Sequence, residues 1–230
     1  MDGTTAVVTG ASRGVGEAVA RALAVEGATV ICCSRDGEEI EAVAGSIADS
    51  GGSAVGMRAD VRDEFDVERL METAAREGGE GIDLVVANAG VYHGETGETP
   101  LGEESYTVFD DTLRTNLRGV FSTIRESLGH LADDARVLVP TGSVAREPKP
   151  GIGAYAVSKA GAEAVMRGFA VEDGVAVGCL DLGLVDTDLT GSGGREPEDV
   201  APMFVWAAGL EAGKLNGETL GLREWRRATR

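Results

Sequence analysis

The chain has 230 residues, which is long enough for one domain with a substantial core, and it carries a formal charge of −18. Proteins bind nucleic acids by neutralising phosphates, so this charge excludes a typical DNA or RNA partner. No apolar run approaches membrane-spanning length and the N-terminus lacks a secretory signal pattern, so we expect a cytoplasmic protein with no membrane partner.

Only three of the 21 basic residues are lysines, whereas Asp and Glu together number 39. Dense carboxylates with few lysines are typical of salt-adapted cells, where concentrated ions screen the repulsion between like charges. The alternative is an acidic protein from a genome rich in G and C. We expect a halophilic protein, and an activity optimum near zero salt would contradict this.

Short β-branched runs alternate along the chain with longer amphipathic stretches. The predicted strands span 5–9, 28–33, 53–58, 82–87, 135–140, 175–180 and 217–222, and the predicted helices span 14–26, 37–49, 63–77, 104–130, 153–171 and 198–210. Strands that are apolar along their length are buried on both faces, as in a parallel sheet covered by helices. The order predicts an α/β fold, a single domain over 1–230 doubly wound around a mostly parallel seven-stranded sheet. In such sheets ligands bind beyond the carboxyl ends of the strands.

All three cysteines, Cys32, Cys33 and Cys179, lie in two of the predicted apolar strands. Three thiols cannot all pair, and two of them are adjacent. We therefore expect buried thiols in a reducing compartment, and neither a disulfide nor a metal site.

The turn after the first strand reads TGASRGVG, residues 9–16. Its glycines permit a tight turn, close approach of the backbone to a diphosphate and close packing of the next helix. The N-terminus of that helix offers N–H groups to phosphates. The residues predicted to hold a dinucleotide here are Gly10, Ser12, Arg13, Gly14, Val15 and Gly16.

The second predicted strand is followed by SRD, residues 34–36. A carboxylate at this place suits the ribose of NAD, whereas an arginine accommodates the 2′-phosphate of NADP. Arg35 and Arg13 are expected to converge on this corner beside Ser34, which favours NADP and makes NAD the less favoured coenzyme. Asp36 keeps NAD open as the alternative, because its carboxylate could turn inward toward the ribose. Either arginine could also be an ordinary solvated charge.

The stretch YAVSK places Tyr155 and Lys159 one helical turn apart on one face. A phenol normally keeps its proton up to about pH 10, and a neighbouring ammonium favours the phenolate. That pairing suits a proton donor working near neutral pH. The alternative is two surface residues on an ordinary helix.

Three further strands end in short motifs, namely ADV with Asp60, NAG at residues 88–90 and TGS ending at Ser143. Together with TGASRGVG, TNLRGVF, YAVSK and DTDLT, taken in order, they make the sequence resemble the classical short-chain dehydrogenase/reductase family. The 3-oxoacyl-thioester reductase and carbonyl reductase branches look most similar. The resemblance implies a Rossmann fold, an NADP-dependent oxidoreductase, a small-molecule carbonyl or alcohol substrate, and a homotetramer or homodimer.

The resemblance also implies roles for particular residues. Tyr155 would be the catalytic acid/base, and Lys159 would bind the nicotinamide ribose. Ser143 would hydrogen-bond the substrate oxygen, with Thr141 as the alternative, and Asn116 would hold a water that links the lysine to solvent. The remaining coenzyme contacts would be Asp60 and Val61 at the adenine, Asn88, Ala89 and Gly90 at the ribose, and Thr187 at the carboxamide, and no metal is implied.

The sequence departs from the family pattern after the sixth strand. Leu182 stands where a proline is usual, which should loosen the loop beside the nicotinamide. The substrate loop near 184–197 is short and rich in glycine, so we expect an open or mobile site. The side chains expected outside the chemistry are Tyr92 and His93 at the pocket edge, His130 at a helix end, and Trp206 and Trp225 in packing.

Two other functions remain open at this point. One is a non-catalytic dinucleotide-binding sensor on the same fold, which has no need of all four catalytic residues. The other is a sugar-nucleotide epimerase or dehydratase, whose glycine loop is usually spaced differently and whose substrate domain is larger.

Overall fold

The computed structural model describes residues 1–79, 81–147, 149–172 and 174–229, and within them seven strands form one sheet. The strands are β1 (Thr5–Thr9), β2 (Thr29–Ser34), β3 (Ser53–Arg58), β4 (Ile82–Val86), β5 (Leu131–Thr141), β6 (Ala176–Asp181) and β7 (Thr219–Gly221). They pair in the order β3-β2-β1-β4-β5-β6-β7, and every named pair is parallel. The predicted doubly wound α/β fold is confirmed.

The helices that cover the sheet are α1 (Gly14–Val25), α2 (Gly37–Asp49), α3 (Glu64–Gly78), α4 (Tyr106–Leu113), α5 (Gly119–Ser127), α6 (Gly153–Glu172), α7 (Pro197–Ala208), α8 (Ala212–Leu215) and α9 (Leu222–Ala228). Successive side chains of a strand point to opposite faces, so the sheet separates two cores. Ala6 and Val8 of β1 pack with α1, α2 and α7, whereas Val7 packs with α3, α5 and α6. This is why the strands read as continuously apolar.

The predicted helix over 104–130 is confirmed in extent but is not one uniform α-helix. Ser105 accepts a hydrogen bond from the N–H of Val108 and caps α4, which starts at Tyr106, two residues later than predicted. A π-helical segment, Arg114–Arg118, then separates α4 from α5, and a 3₁₀ turn, Leu128–His130, ends the run. Asn116 lies inside the π-helical segment, and such segments are frequent at functional sites. His130 ends a 3₁₀ turn, close to the helix end that the sequence predicted.

Two other boundaries also differ from the prediction. Strand β5 starts at Leu131, because Leu131 pairs with Ile82 before the register shifts and Arg136 pairs with Leu84. The predicted last strand, 217–222, shortens to Thr219–Gly221, and α8 and α9 flank it. Neither of these short helices has an amphipathic pattern long enough to be recognised in the sequence.

The packing roles expected of the cysteines and tryptophans are confirmed. The three cysteines are buried and unpaired, and burial raises the pKa of each thiol to about 12. Trp206 and Trp225 are partly buried against the core on the α1 and α7 face. In the part of the chain that is described, no helix combines the length and apolarity required to span a bilayer.

Phe204 in α7 is 0% exposed and is the largest of the fully buried side chains, so we expect Phe204→Ala to leave a cavity. The free energy of unfolding should fall by about 3–5 kcal/mol, measured by urea denaturation. The matched control is Phe65→Ala, because Phe65 in α3 is 72% exposed. Its effect should stay within about 0.5 kcal/mol. Equal losses in the two variants would contradict this account of the core.

Candidate active site

A cleft of about 820 Å³ opens at the edge of the sheet where the strands end. All sixteen residues of the predicted coenzyme set line it, namely Gly10, Ser12, Arg13, Gly14, Val15, Gly16, Ser34, Arg35, Asp60, Val61, Asn88, Ala89, Gly90, Tyr155, Lys159 and Thr187. Parallel pairing brings these residues together, because the carboxyl ends of the strands meet at one edge. Among the residues described, Asn116 and Ser143 lie outside this lining.

The turn between β1 and α1 can be formed only by glycine at key positions. Gly10 and Gly14 have φ of +65° and +58°, in the left-handed region that other residues avoid. A Cβ on Gly16 would lie 2.2 Å from the carbonyl oxygen of Gly10, so a side chain would fill the space under the turn. Asn88 closes the turn from β4, since its Nδ2 donates to the carbonyl oxygens of Thr9 at 2.9 Å and Gly10 at 3.1 Å.

The N-terminus of α1 has no side-chain cap, unlike those of α2 and α3. Asp36 caps α2 and Asp63 caps α3, whereas the side chain of Arg13 at the start of α1 supplies no acceptor for the first N–H groups. Those uncapped N–H groups and the positive end of the helix dipole fit an anionic diphosphate. The residues of this turn therefore fit a dinucleotide.

Two arginines and the carboxylate of Asp36 lie around the end of β2. The Oδ1 atom of Asp36 accepts from the N–H groups of Glu38 at 3.0 Å and Glu39 at 3.1 Å. Arg35 and Arg13 are exposed, and neither guanidinium has a hydrogen bond or ion pair with any residue that the structure describes. Oδ1 of Asp36 is therefore engaged as a helix cap, although Asp36 lines the cleft together with both arginines.

The ammonium group of Lys159 lies near the ring of Tyr155 in the first two turns of α6. Its Nζ is 5.6 Å from the centroid of the tyrosine ring and donates to the carbonyl oxygen of Pro140 at 3.0 Å. Tyr92 packs edge-on against the same tyrosine, with the ring centroids 5.0 Å apart, and its hydroxyl bonds Thr99 at 2.7 Å. The ring of Tyr92 and the side chain of Lys159 therefore hold the ring of Tyr155 at the wall of the cleft.

Asn116 is buried and its amide is fully engaged. Oδ1 accepts from the N–H of Val91 at 2.7 Å, and Nδ2 donates to the carbonyl oxygen of Val91 at 2.8 Å and to Ser158 Oγ at 3.0 Å. The π-helical segment turns this amide toward the end of β4 and toward α6. Its contacts tie the loop after NAG to the helix that carries Tyr155.

Ser143 begins a 3₁₀ turn, Ser143–Ala145, directly after β5. Its Oγ accepts from Lys149 Nζ at 3.4 Å, which leaves its own proton available to a substrate oxygen. The alternative, Thr141, lines the cleft, but its hydroxyl donates to Glu163 Oε1 at 2.8 Å. The single hydroxyl proton of Thr141 is therefore already used.

A chain of charged side chains runs from Asp60, after β3, to His93, after β4. Arg62 bonds both oxygens of Asp60 and reaches Asp111 at 2.7 Å, and Asp111 contacts His93 Nε2 at 2.9 Å. Burial raises the pKa of Asp60, but the hydrogen bonds from Arg62 outweigh it and hold the pKa below 3.8. The pKa of Asp111 is likewise lowered, against burial, by His93 and Arg62.

The loop after β6 folds over the glycine turn. A Cβ on Gly14 would lie 3.3 Å from Thr187 Cγ2, and Thr96 donates to the carbonyl oxygen of Thr190 at 3.1 Å. The loops after β4 and β6 thus meet at the cleft mouth. Leu182 is buried, and its N–H, which a proline lacks, bonds the carbonyl oxygen of Thr141 at 3.4 Å. Whether this loop is mobile stays a prediction.

Sequence reasoning missed several residues of the site. Glu163, Arg146 and Asp181 form an ionic cluster beneath Ser143, and Lys149 contacts that serine. Glu163 could have been found, because it lies four residues after Lys159 on the same helical face. Arg146 and Lys149 lie in a segment without periodicity, so no pattern pointed to them.

The fold and the cleft define a dinucleotide-binding protein of the Rossmann type, and comparison with known proteins names its family. The family described as short chain dehydrogenase matches residues 4–198. The chain therefore belongs to the short-chain dehydrogenase/reductase family, which consists of oxidoreductases.

Individual relatives support the same assignment. The chain is 31% identical to 3beta-hydroxysteroid dehydrogenase 1 of Eggerthella lenta, over 96% of this chain and 92% of that protein. It is 33% identical to glycine betaine reductase ATRR of Emericella nidulans, over 90% of this chain but only 18% of that protein. A short-chain dehydrogenase of Burkholderia cenocepacia J2315, solved in complex with NADP, superposes with a TM-score of 0.86 at 29% identity, covering 96% of each chain.

We expect Arg62→Met to destabilise the protein in a pH-dependent way. Carboxylates with a lowered folded pKa contribute stability above about pH 4, and that contribution is lost as the pH falls through the folded values. The variant should lose up to about 1 kcal/mol at pH 7, because these partly exposed groups are screened by solvent. The difference from the unsubstituted protein should shrink by pH 3, measured by urea denaturation.

Arg69→Met is the control for this measurement, because Arg69 pairs with Asp66 on the surface of α3. It removes the same charge and should change the stability by less. A loss in Arg62→Met that is the same at pH 7 and pH 3 would show that the ion pairs are not its cause.

Proposed function

We propose that the chain is an NADP-dependent oxidoreductase that interconverts a small-molecule carbonyl compound and the corresponding secondary alcohol. The observation that carries the proposal is the meeting of Tyr155 and Lys159 with the uncapped glycine turn in one cleft. When bound there, the nicotinamide coenzyme supplies or takes up the hydride. The chain forms one catalytic domain, with 184–197 as its substrate loop.

The choice of NADP rests on the corner at the end of β2. Arg35 and Arg13 are available to a 2′-phosphate, and Asp36, which would suit the ribose of NAD, caps α2 instead. Asp60 and Val61 bind the adenine. Asn88, Ala89 and Gly90 line the ribose side, and Thr187 of the covering loop lies beside the carboxamide.

Proton transfer is assigned to Tyr155. In the reducing direction negative charge grows on the carbonyl oxygen, and the tyrosine hydroxyl donates its proton there while Ser143 donates a hydrogen bond. The ammonium of Lys159, 5.6 Å from the ring centroid, stabilises the resulting phenolate. In the same scheme Lys159 also holds the nicotinamide ribose, and Asn116 orients the segment through which a water links the lysine to solvent.

The rival function is a non-catalytic sensor that binds the coenzyme without turning it over. A sensor would not need Asn116, Ser143, Tyr155 and Lys159 together, because binding of the coenzyme alone does not require a proton donor with its own cation. That combination favours the enzyme. Turnover of a panel of ketones and aldehydes, followed by NADPH absorbance at low and high salt, decides between the two.

We further propose that the protein assembles as a homodimer or homotetramer through α5 and α6. Phe121 of α5 and Phe169 of α6 stack at 5.9 Å between ring centroids, and Phe121 and Val157 are exposed large apolar side chains on these helices. Exposed apolar clusters of this kind are typical of interfaces. The cytoplasmic and halophilic assignments rest on composition alone.

Tyr155→Phe removes the proton donor and leaves the ring and its contact with Tyr92 in place. We expect kcat to fall by about 100- to 10,000-fold while the Kd for NADPH, measured by fluorescence titration, stays within about threefold. Tyr106→Phe is the matched control, since Tyr106 is 90% exposed, and it should keep full activity. Turnover by Tyr155→Phe at the unsubstituted rate would refute the assignment.

Arg35→Ala tests the coenzyme. Loss of a charge-assisted contact with the 2′-phosphate should lower kcat/KM for NADPH by about 10- to 100-fold and leave the value for NADH nearly unchanged. The control is Arg76→Ala, which removes the same charge from the far end of α3. A preference of the unsubstituted protein for NADH would overturn the argument from the two arginines.

A further inference from the structure

A buried carboxylate lies beneath the turn that carries Ser143. Glu163 is one helical turn beyond Lys159 on α6, and its side chain is only 3% exposed. Its Oε1 accepts from Thr141 Oγ1 at 2.8 Å and from Arg146 Nη1 at 2.8 Å. A charge removed from water to this extent is tolerated only when it is paired and hydrogen-bonded.

Arg146 joins this carboxylate to a second one. It is the residue that ends the 3₁₀ turn Ser143–Ala145, and its Nη2 bonds Asp181 Oδ2 at the end of β6. The other oxygen of Asp181 accepts from the N–H of Gly183 at 3.1 Å. One planar guanidinium therefore bridges α6, the Ser143 turn and the turn after β6.

The same helix is attached to the end of β5 at two neighbouring points. Lys159 bonds the carbonyl oxygen of Pro140, and Glu163 bonds the hydroxyl of Thr141. These contacts fix β5 relative to α6, but Ser143 lies beyond them at the start of the next turn. Among the residues that the structure describes, the bond from Glu163 to Arg146 is the side-chain bond that extends the attachment of α6 across that turn.

We propose that Glu163 and Arg146 are positioning residues that hold the hydroxyl of Ser143 in register with Tyr155 and Lys159. The inference rests on the function proposed above. Neither residue touches the substrate: Glu163 fixes the guanidinium, and the guanidinium fixes the turn. Small displacements of a reacting group cost large factors in rate, so the effect should fall on kcat.

The competing explanation is that Glu163 and Arg146 only stabilise the fold. A substitution of Arg167 distinguishes this explanation from a positioning role. Its Nη1 lies 3.7 Å from the other oxygen of Glu163, on the side away from Ser143, and its side chain is 55% exposed. It interacts with the same carboxylate without touching the turn. Arg167→Met is therefore a control matched in charge and in partner.

The test compares Arg146→Met, Arg146→Lys and Arg167→Met with the unsubstituted protein. Arg146→Met should lower kcat by about 10- to 100-fold while KM and Kd for NADPH stay within about twofold. Arg146→Lys should recover part of kcat, because an ammonium keeps the charge but cannot bridge both carboxylates. Arg167→Met should behave as the unsubstituted protein.

Glu163→Gln keeps an oxygen that can accept from Thr141 but removes the negative charge that holds Arg146. If the two residues act together, the double variant Glu163→Gln/Arg146→Met should lose little more kcat than Arg146→Met alone. If this buried variant fails to fold, the Arg146 variants carry the test alone. The inference is overturned if Arg146→Met retains kcat within twofold, or if Arg167→Met loses as much.

Amide hydrogen exchange gives a readout that is independent of turnover. Exchange in residues 141–147 should accelerate in Arg146→Met and stay unchanged in Arg167→Met. If the unsubstituted protein reduces no carbonyl compound, the proposed function fails, while exchange still decides whether the guanidinium holds the turn. Unchanged exchange together with unchanged kcat would refute the positioning role.

Discussion

Parallel pairing of the strands is the constraint on which the rest of the structure depends. Because all the strands point the same way, residues as far apart in sequence as Gly10 and Thr187 reach one edge of the sheet. The strands are mostly apolar on both faces. Apart from strand-end residues such as Ser34 and Thr141, the polar side chains of the cleft lie on turns and helices, where their positions depend on local contacts.

Those local contacts fall into two groups. After β1, the glycine turn, its bonds from Asn88 and the uncapped α1 provide backbone N–H groups and little side-chain bulk. At the end of β5, side chains of α6 bond consecutive residues of that strand through Lys159 and Glu163. Although the formal charge of the protein is −18, Arg13, Arg35 and Lys159 line this cleft together with several carboxylates.

The sequence predicted the sheet, the order of its strands along the chain and residues that line the cleft beyond it, because periodicity and glycine spacing report directly on buried strands and tight turns. It did not predict the π-helical segment at Asn116, since five residues are too few to show a periodicity of their own. The early start of β5 depends on a register shift against β4, which is a property of the pair of strands. The link from Glu163 to Arg146 joins a helix to an irregular turn, and such contacts have no sequence signature.

The buried thiols have a practical consequence for spectroscopy. The chain contains three cysteines, all within the cores, and their pKa values near 12 leave almost no thiolate to react at neutral pH. A cysteine introduced on the loop after β4 or β6 would be the reactive one in the native protein. A spin label or fluorophore could then report on the cleft mouth without removal of any natural residue.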